Sequence, residues 1–248
     1  MNEITLTRMK QLKLYGMHSA FKTAIETGKT DNYTLDQFIS MIIDAEWDDR
    51  NSRKINRAIQ NAKFHYKATI ENIVYDESRN IDRTKLLRLA ECGFIDKNEN
   101  VLITGSTGSG KSYIATSIAY QACIEGYKVI YFNTTKLFSK LKLAKADGTY
   151  LKELAKIEKQ QLIILDDFGL QPLDSQNRIA LLEIIEDRNN KGSIIVTSQI
   201  PVQAWYETIG EKTIADAILD RLINQAHRIE LSGESMRRKR IVINEKND

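Results

Sequence analysis

Val101-Leu-Ile-Thr-Gly-Ser-Thr-Gly-Ser-Gly-Lys-Ser112 runs from an apolar strand into a glycine-rich turn, then into a helix start carrying lysine and serine. The spacing is G-x-x-x-x-G-K-[ST], with Gly105, Gly110, Lys111 and Ser112 in the fixed places. Glycine at 105, 108 and 110 lets the backbone bend with little side-chain bulk, so several N–H groups face one phosphate. The helix that follows adds its positive N-terminal end. Lys111 has the reach for the β- and γ-phosphates, and the Ser112 hydroxyl suits Mg²⁺. The phosphate cradle is therefore read as Gly105, Ser106, Thr107, Gly108, Ser109, Gly110, Lys111, Ser112 and Tyr113. A chance match in a chain of this length is on the order of one in a hundred from residue frequencies. The flanking strand and helix patterns lower that further, so the stretch is read as a nucleotide-binding loop.

Downstream, the chain alternates strand and helix, the sign of a parallel sheet with helices on both faces. Strands are expected at 101–104, 128–132, 162–166, 193–198 and 228–231, as nearly unbroken apolar runs. The helix after the phosphate loop should reach Gly126, Asp174 should cap a later helix, and Pro201 should open one bearing Trp205. Leu162-Ile-Ile-Leu-Asp-Asp167 ends an apolar strand in two carboxylates. After a phosphate loop, Asp166 is placed to hold Mg²⁺ and Asp167 to orient the attacking water. Aspartate is one methylene shorter than glutamate, so turnover is expected to be slow unless a partner tightens the site. Val196-Thr-Ser-Gln199 ends the next strand, where Gln199, with Ser198 as second choice, is the candidate to face the γ-phosphate. Arg221, in Asp220-Arg-Leu222 on an amphipathic helix, is either a surface charge beside Asp220 or an arginine finger for a neighbouring subunit. Fingers supply roughly 10³-fold or more in hydrolysis.

Upstream, residues 1–75 read as all-helical, through Leu6, Met9, Leu12, Met17, Phe21 and Ile25, with Gly28 as a stop. Thr34-x-x-Gln37 resembles a capping box opening a long helix through Leu35, Phe38, Ile39, Ile42, Ile43 and Trp47. Methionine, phenylalanine and tryptophan at this spacing are expected to be core. Arg50, Arg53, Lys54 and Arg57 share one side of that helix at i, i+3, i+4, i+7 spacing. Either they form a solvated face, or they track DNA phosphates without reading bases. The pattern weakens at 72–80, giving an expected N-terminal domain at 1–75 and a nucleotide domain at 76–248. Asp82 should cap a short helix ending near Gly93.

Composition sets outer bounds. At 248 residues, with 42% hydrophobic and 28% charged residues, the chain can bury one large or two modest cores. Net charge is only +3, so affinity for nucleic acid would have to come from local patches. Cys92 and Cys123 show no metal spacing and read as reduced, buried thiols of a cytoplasmic protein. His18, His65 and His227 are scattered and suggest no metal site. No apolar run approaches a membrane span, so no membrane association is expected.

With these pieces assembled, the chain resembles the IstB-like AAA+ ATPases, helper proteins of insertion-sequence transposition, and more distantly the DnaC-type helicase loaders. The resemblance rests on Asn61-Ala-Lys-Phe, Asn100-Val-Leu-Ile-Thr-Gly, Leu165-Asp-Asp-Phe-Gly, Thr197-Ser-Gln, Ala204-Trp205, Asp220-Arg-Leu and Gly233-Glu-Ser-Met-Arg237. It implies a P-loop AAA+ fold preceded by a helical N-terminal domain; in a departure from the family pattern, any helical lid after Arg237 is expected to be small or absent. It also implies an ATP- and Mg²⁺-dependent homo-oligomer that binds double-stranded DNA without sequence preference and works with a transposase. Members insert a helix pair between the second strand and the aspartate-bearing strand, here Thr135 to Lys159, where Lys136 and Lys140 stand one turn apart as candidate phosphate contacts. Gln199 stands where asparagine is common, and Arg237 is a weak candidate for a second phosphate-sensing arginine. A helicase loader is the alternative function. A small-molecule kinase gains nothing from Arg221 or the basic patches.

Overall fold

A computed structural model describes residues 2–28, 33–233, 235 and 236. Arg237 and the basic residues after it lie outside the described residues. The chain divides into two compact units, Met1–Arg57 and Ala58–Asp248.

The first unit holds α1 (Asn2–Gln11), α2 (Tyr15–Glu26) and most of α3 (Leu35–Ala62). The capping box is formed: Gln37 N–H donates to Thr34 Oγ1 at 3.3 Å, and Thr34 N–H to Gln37 Oε1 at 3.0 Å. Gly16, at the start of α2, lies so close to α3 that an added Cβ would stand 2.1 Å from the Ala45 carbonyl oxygen. Beside it, Glu46 is buried and accepts from the amides of Gly16 (2.9 Å) and Met17 (3.2 Å), satisfying the exposed donors of the α2 N-terminus. Burial pushes the Glu46 carboxyl up, but Arg50 and these amides outweigh it and hold the group below the usual glutamate range.

The core expected from periodicity is scarcely there. Among the described residues of this unit only Gly16, Ala24 and Glu46 are buried, while Leu35 is 74% and Trp47 73% exposed. Two short helices do not have the surface to cover every apolar face of a long one. Leu35, Ile39, Ile43 and Trp47 instead form an exposed stripe at four-residue spacing.

The second unit is a five-stranded parallel sheet in the order β2-β3-β4-β1-β5. The strands are β1 (Val101–Gly105), β2 (Val129–Asn133), β3 (Leu162–Phe168), β4 (Ser193–Ser198) and β5 (His227–Leu231), each within two residues of its expected span. Period-two alternation sends Leu162 and Ile164 to one face and Ile163 and Leu165 to the other. One face is covered by α4 (Arg83–Ala90), α5 (Gly93–Asp96) and α6 (Lys111–Ile124). The other carries α7 (Thr134–Ala146), α8 (Tyr150–Glu158), α9 (Ser175–Arg188), α10 (Trp205–Ile209) and α11 (Lys212–Ile223). Both faces are therefore layered with helices, as expected. Asp82 and Asp174 cap α4 and α9 by accepting from Lys85 N–H and Asn177 N–H. Cys92 and Cys123 are free and buried, and burial pushes both thiols up to about 12.

Contacts do not divide at the weakened pattern around 72–80. Ala62, Ile70 and Ile73 are buried in the core beneath α6, with Phe64 and Tyr75 against it, so residues 58–75 belong to the sheet unit. After α3 ends at Ala62, Ile70 and Ile73 are used singly and without helical period, so the sequence does not show that this stretch packs on the sheet unit.

Buried Arg188 fastens the N-terminal ends of the strands. Its guanidinium donates to the carbonyls of Ile157, Gln160, Gln161 and Ser193, tying the end of α8 to the starts of β3 and β4. Burial without an acidic partner lowers its pKa to about 10. Asn100, just before β1, accepts from Ile194 N–H and donates to the carbonyls of Arg221 and Leu222.

Candidate nucleotide site

The nine residues read as a cradle link the C-terminal end of β1 to the first turn of α6. Gly110 has φ +98°, a conformation that favours glycine, and a Cβ there would stand 2.6 Å from an Arg79 nitrogen, so that guanidinium would have to shift. Lys111 is buried at 5% exposure, and its ammonium donates to the carbonyls of Gly105 (2.8 Å) and Ser106 (2.9 Å). It is thus folded back over the loop it is expected to serve. Tyr113 stacks on Tyr66 with centroids 6.1 Å apart, so its ring packs on protein.

The loop is braced from outside by groups that sequence reading missed. Arg79, 5% exposed, donates to the Ser109 carbonyl at 2.8 Å, and its own carbonyl accepts from Ser232 N–H at 3.1 Å. Burial lowers the pKa of its guanidinium. Met236 N–H donates to the Gly108 carbonyl at 3.0 Å. A single arginine in a polar stretch carries no motif, so only the three-dimensional closure of residues 74–79 onto the loop reveals it.

Across the sheet, β3 brings its two acids to the same end. Asp166 is 3% exposed and accepts from two hydroxyls: Tyr131 on one carboxylate oxygen and Thr197 on the other. Burial, first, and the neighbouring carboxylate hold the Tyr131 hydroxyl protonated far above the usual tyrosine range, so it remains a donor. Asp167 sits at φ +59°, a left-handed conformation that aspartate tolerates better than most residues. It falls at a register shift near the end of β3, which re-aims its carboxylate. Asn133 donates to Asp167 Oδ2 at 3.2 Å while its own oxygen caps α7 by accepting from Lys136 N–H. Thr197 also accepts from Asp167 N–H at 3.1 Å, so one hydroxyl fixes both acids. Sequence reading passed over Thr197, Tyr131 and Asn133. Parallel register does single out Asn133, the partner of Asp166, once the strands are paired.

The strand-end candidates separate. Gln199 accepts from the Thr107 hydroxyl of the phosphate loop at 2.6 Å, which puts it at the cradle. Ser198 is fully buried and donates to the Phe168 carbonyl at 2.7 Å, a structural role. Arg221 lies elsewhere. It pairs with Glu186 at 3.4 Å, not with Asp220, and its carbonyl is bound by Asn100 at the N-terminal end of β1. The phosphate loop is at the other end of that strand, so the chain does not bring Arg221 to its own cradle.

The groups present fit a magnesium nucleotide. A glycine-built loop of phosphate-binding spacing faces a buried carboxylate whose donors leave further lone pairs free, and the Ser112 hydroxyl opens α6. Lys111, Ser112, Asp166, Asp167 and Gln199 all lie at the C-terminal edge of the sheet or on α6 beside it, where ligands of open α/β sheets bind.

The candidate DNA contacts are unequal. Arg50 pairs with Glu46 (2.6 Å), and Arg53 pairs with Asp49 (2.5 Å) and lies over the Tyr15 ring. Lys54 and Arg57 are exposed and make no ion pair among the described residues. On the inserted pair of helices, Lys140 binds Glu153 whereas Lys136 is exposed. Leu137 and Leu141 are buried, as the packing side should be.

The chain is similar to known proteins along most of its length. An insertion sequence ATP-binding protein of Sinorhizobium fredii, y4pL, is 41% identical over 94% of this chain and 96% of its own length. The corresponding IS21 protein of Pseudomonas aeruginosa is 29% identical over 96% of this chain and 88% of its own. Among solved structures, the DnaC helicase loader matches with a TM-score of 0.60 at 20% identity, over 69% of this chain and 100% of that one, a likeness of fold. No helix among the described residues is long and apolar enough to cross a membrane. The profile of the IstB-like ATP binding proteins matches residues 7–242, and with the cradle in place the chain belongs to that family.

Proposed function

We propose that this chain is a Mg²⁺-dependent ATPase that assembles on duplex DNA, with ATP between neighbouring subunits, and regulates transposition together with a transposase in the cytoplasm. The observation that carries the reading is the pair of differently held carboxylates opposite the phosphate loop. Asp166 is buried between two hydroxyls, as a metal carboxylate needs, and Asp167 is turned out of the strand by its left-handed backbone, as a water-orienting base needs. Lys111 moves from the loop carbonyls to the β- and γ-phosphates. Ser112 and Asp166 are the residues that would hold Mg²⁺, which would supply positive charge against the phosphates. Asp167 polarises the attacking water, and Gln199, tied to Thr107, reads the γ-phosphate.

Arg221 serves a neighbour's ATP. Its place at the opposite end of β1 from its own cradle supports that role, and it makes a second copy part of the site. The relatives' insertion-sequence names favour transposition over helicase loading. Lys54, Arg57 and Lys136 are the contacts best exposed to DNA phosphates, with Arg50, Arg53 and Lys140 shared with acids.

The test is phosphate release with and without duplex DNA. Asp167→Ala should bind ATP normally and lose roughly 10²–10⁴-fold in rate, the usual range for a general base. Arg221→Ala should do the same alone, yet recover activity when mixed with Lys111→Ala protein. Unaltered hydrolysis in Asp167→Ala, or absence of rescue at every mixing ratio, would refute the respective role.

A further inference from the structure

Asp166 is central to the proposed chemistry, yet its own strand does nothing to stop its carboxylate rotating. Thr197 on one side and Tyr131 on the other do that. Tyr131, 7% exposed, stands in β2 two residues before Asn133, the register partner of Asp166. Alternation along the strand therefore gives Tyr131 and Asn133 the same face, one reaching each acid.

Tyr131 is in turn braced. The His65 ring meets it edge-on, with centroids 5.1 Å apart and planes at 90°. His65 belongs to a short segment after α3 that is seated on α6. Phe64 lies against Tyr120 (6.4 Å), Tyr66 stacks on Tyr113 (6.1 Å), and the Lys67 ammonium lies 6.0 Å over the Tyr120 ring. The segment thus joins the phosphate-loop helix to the ring that touches Asp166.

We propose that Tyr131 is a positioning residue that holds the Asp166 carboxylate in the orientation its divalent cation requires, and that His65 holds the Tyr131 ring. The inference rests on the reading of Asp166 as the Mg²⁺ carboxylate. A hydroxyl on one lone pair of Oδ2 blocks rotation while leaving the other lone pairs able to bind. Partners of this kind behind a metal ligand typically contribute about 10–100-fold in metal affinity.

The experiment is a Mg²⁺ titration of the affinity for a fluorescent, non-hydrolysable ATP analogue, in the full chain. Tyr131→Phe keeps the ring and its contact with His65 and removes only the hydroxyl. The Mg²⁺ needed for half-maximal enhancement should rise about 10-fold or more, with affinity for the metal-free analogue unchanged. His65→Ala should shift the titration in the same direction by less. Asp166→Asn is the control for the underlying reading. If it leaves the Mg²⁺ dependence intact, Asp166 is not the metal carboxylate and both ideas fall. If Asp166→Asn shifts the curve and Tyr131→Phe does not, only the positioning role falls. Loss of metal-free binding in Tyr131→Phe would also overturn it, because the defect would not act through the cation. An unshifted His65→Ala would remove His65 from the account.

Discussion

The two compact units hold their shapes by different means. The sheet unit buries apolar strands between two helical layers, with side chains such as Ile163, Ile164, Leu181 and Trp205 at or below 1% exposure. The N-terminal unit buries almost nothing apolar and leans on a buried acid. Glu46 ties the start of α2 to α3, and Gly16 allows the helices to meet. Substitutions should therefore cost volume in one region and hydrogen bonds in the other.

The largest effect belongs to the sheet. Ile163→Ala removes a fully buried strand residue and should cost about 2–5 kcal/mol, read from the urea midpoint of the whole chain. Glu46→Ala should cost about 1–3 kcal/mol, because two amides lose their acceptor. Hydrogen exchange should show that loss confined to α2 and α3, with ATP affinity unchanged; faster exchange throughout the sheet would break the contrast. The depressed Glu46 carboxyl gives the same region a pH signature. Its contribution is complete above the ordinary glutamate pKa of 4.5 and is lost as pH falls through the lower folded value, so α2 should loosen first on acidification.

A smaller effect separates charge from stability. Replacing Lys54 and Arg57 with glutamine should leave folding intact and reduce the salt slope of duplex binding by about 2 if both meet phosphates. An unaltered slope would relocate the DNA surface away from α3. The smallest effect is expected at Trp47. At 73% exposure its change to alanine should alter stability by less than about 0.5 kcal/mol, where a core tryptophan would cost several.

Trp47 also marks the limit of what sequence shows. A helical apolar period says that a face exists, not what covers it, and here the covering elements are too small. The sheet was legible because runs such as Leu162-Ile-Ile-Leu admit burial on both faces and little else. The phosphate loop and the Asp82 and Asp174 caps were legible because their chemistry is local. Tyr131, Asn133 and Thr197 were not, since they act across strands separated by some thirty residues of chain, and only register brings them to the acids. Arg79 was hidden because a lone arginine outside any strand shows its partner, the Ser109 carbonyl, only once the chain folds back on the loop.

Asn100 carries a final consequence. Its side chain binds the carbonyls of Arg221 and Leu222 at the entrance to β1, and the same strand ends in the phosphate loop. Five extended residues span about 17 Å and, hydrogen-bonded on both sides, have little freedom to stretch or bend. In an assembly built as proposed, the fuel a subunit receives and the charge it lends its neighbour sit at opposite tips of one stiff rod. A tilt imposed at either tip is then felt at the other, so adjacent sites in a row of subunits would be geared together.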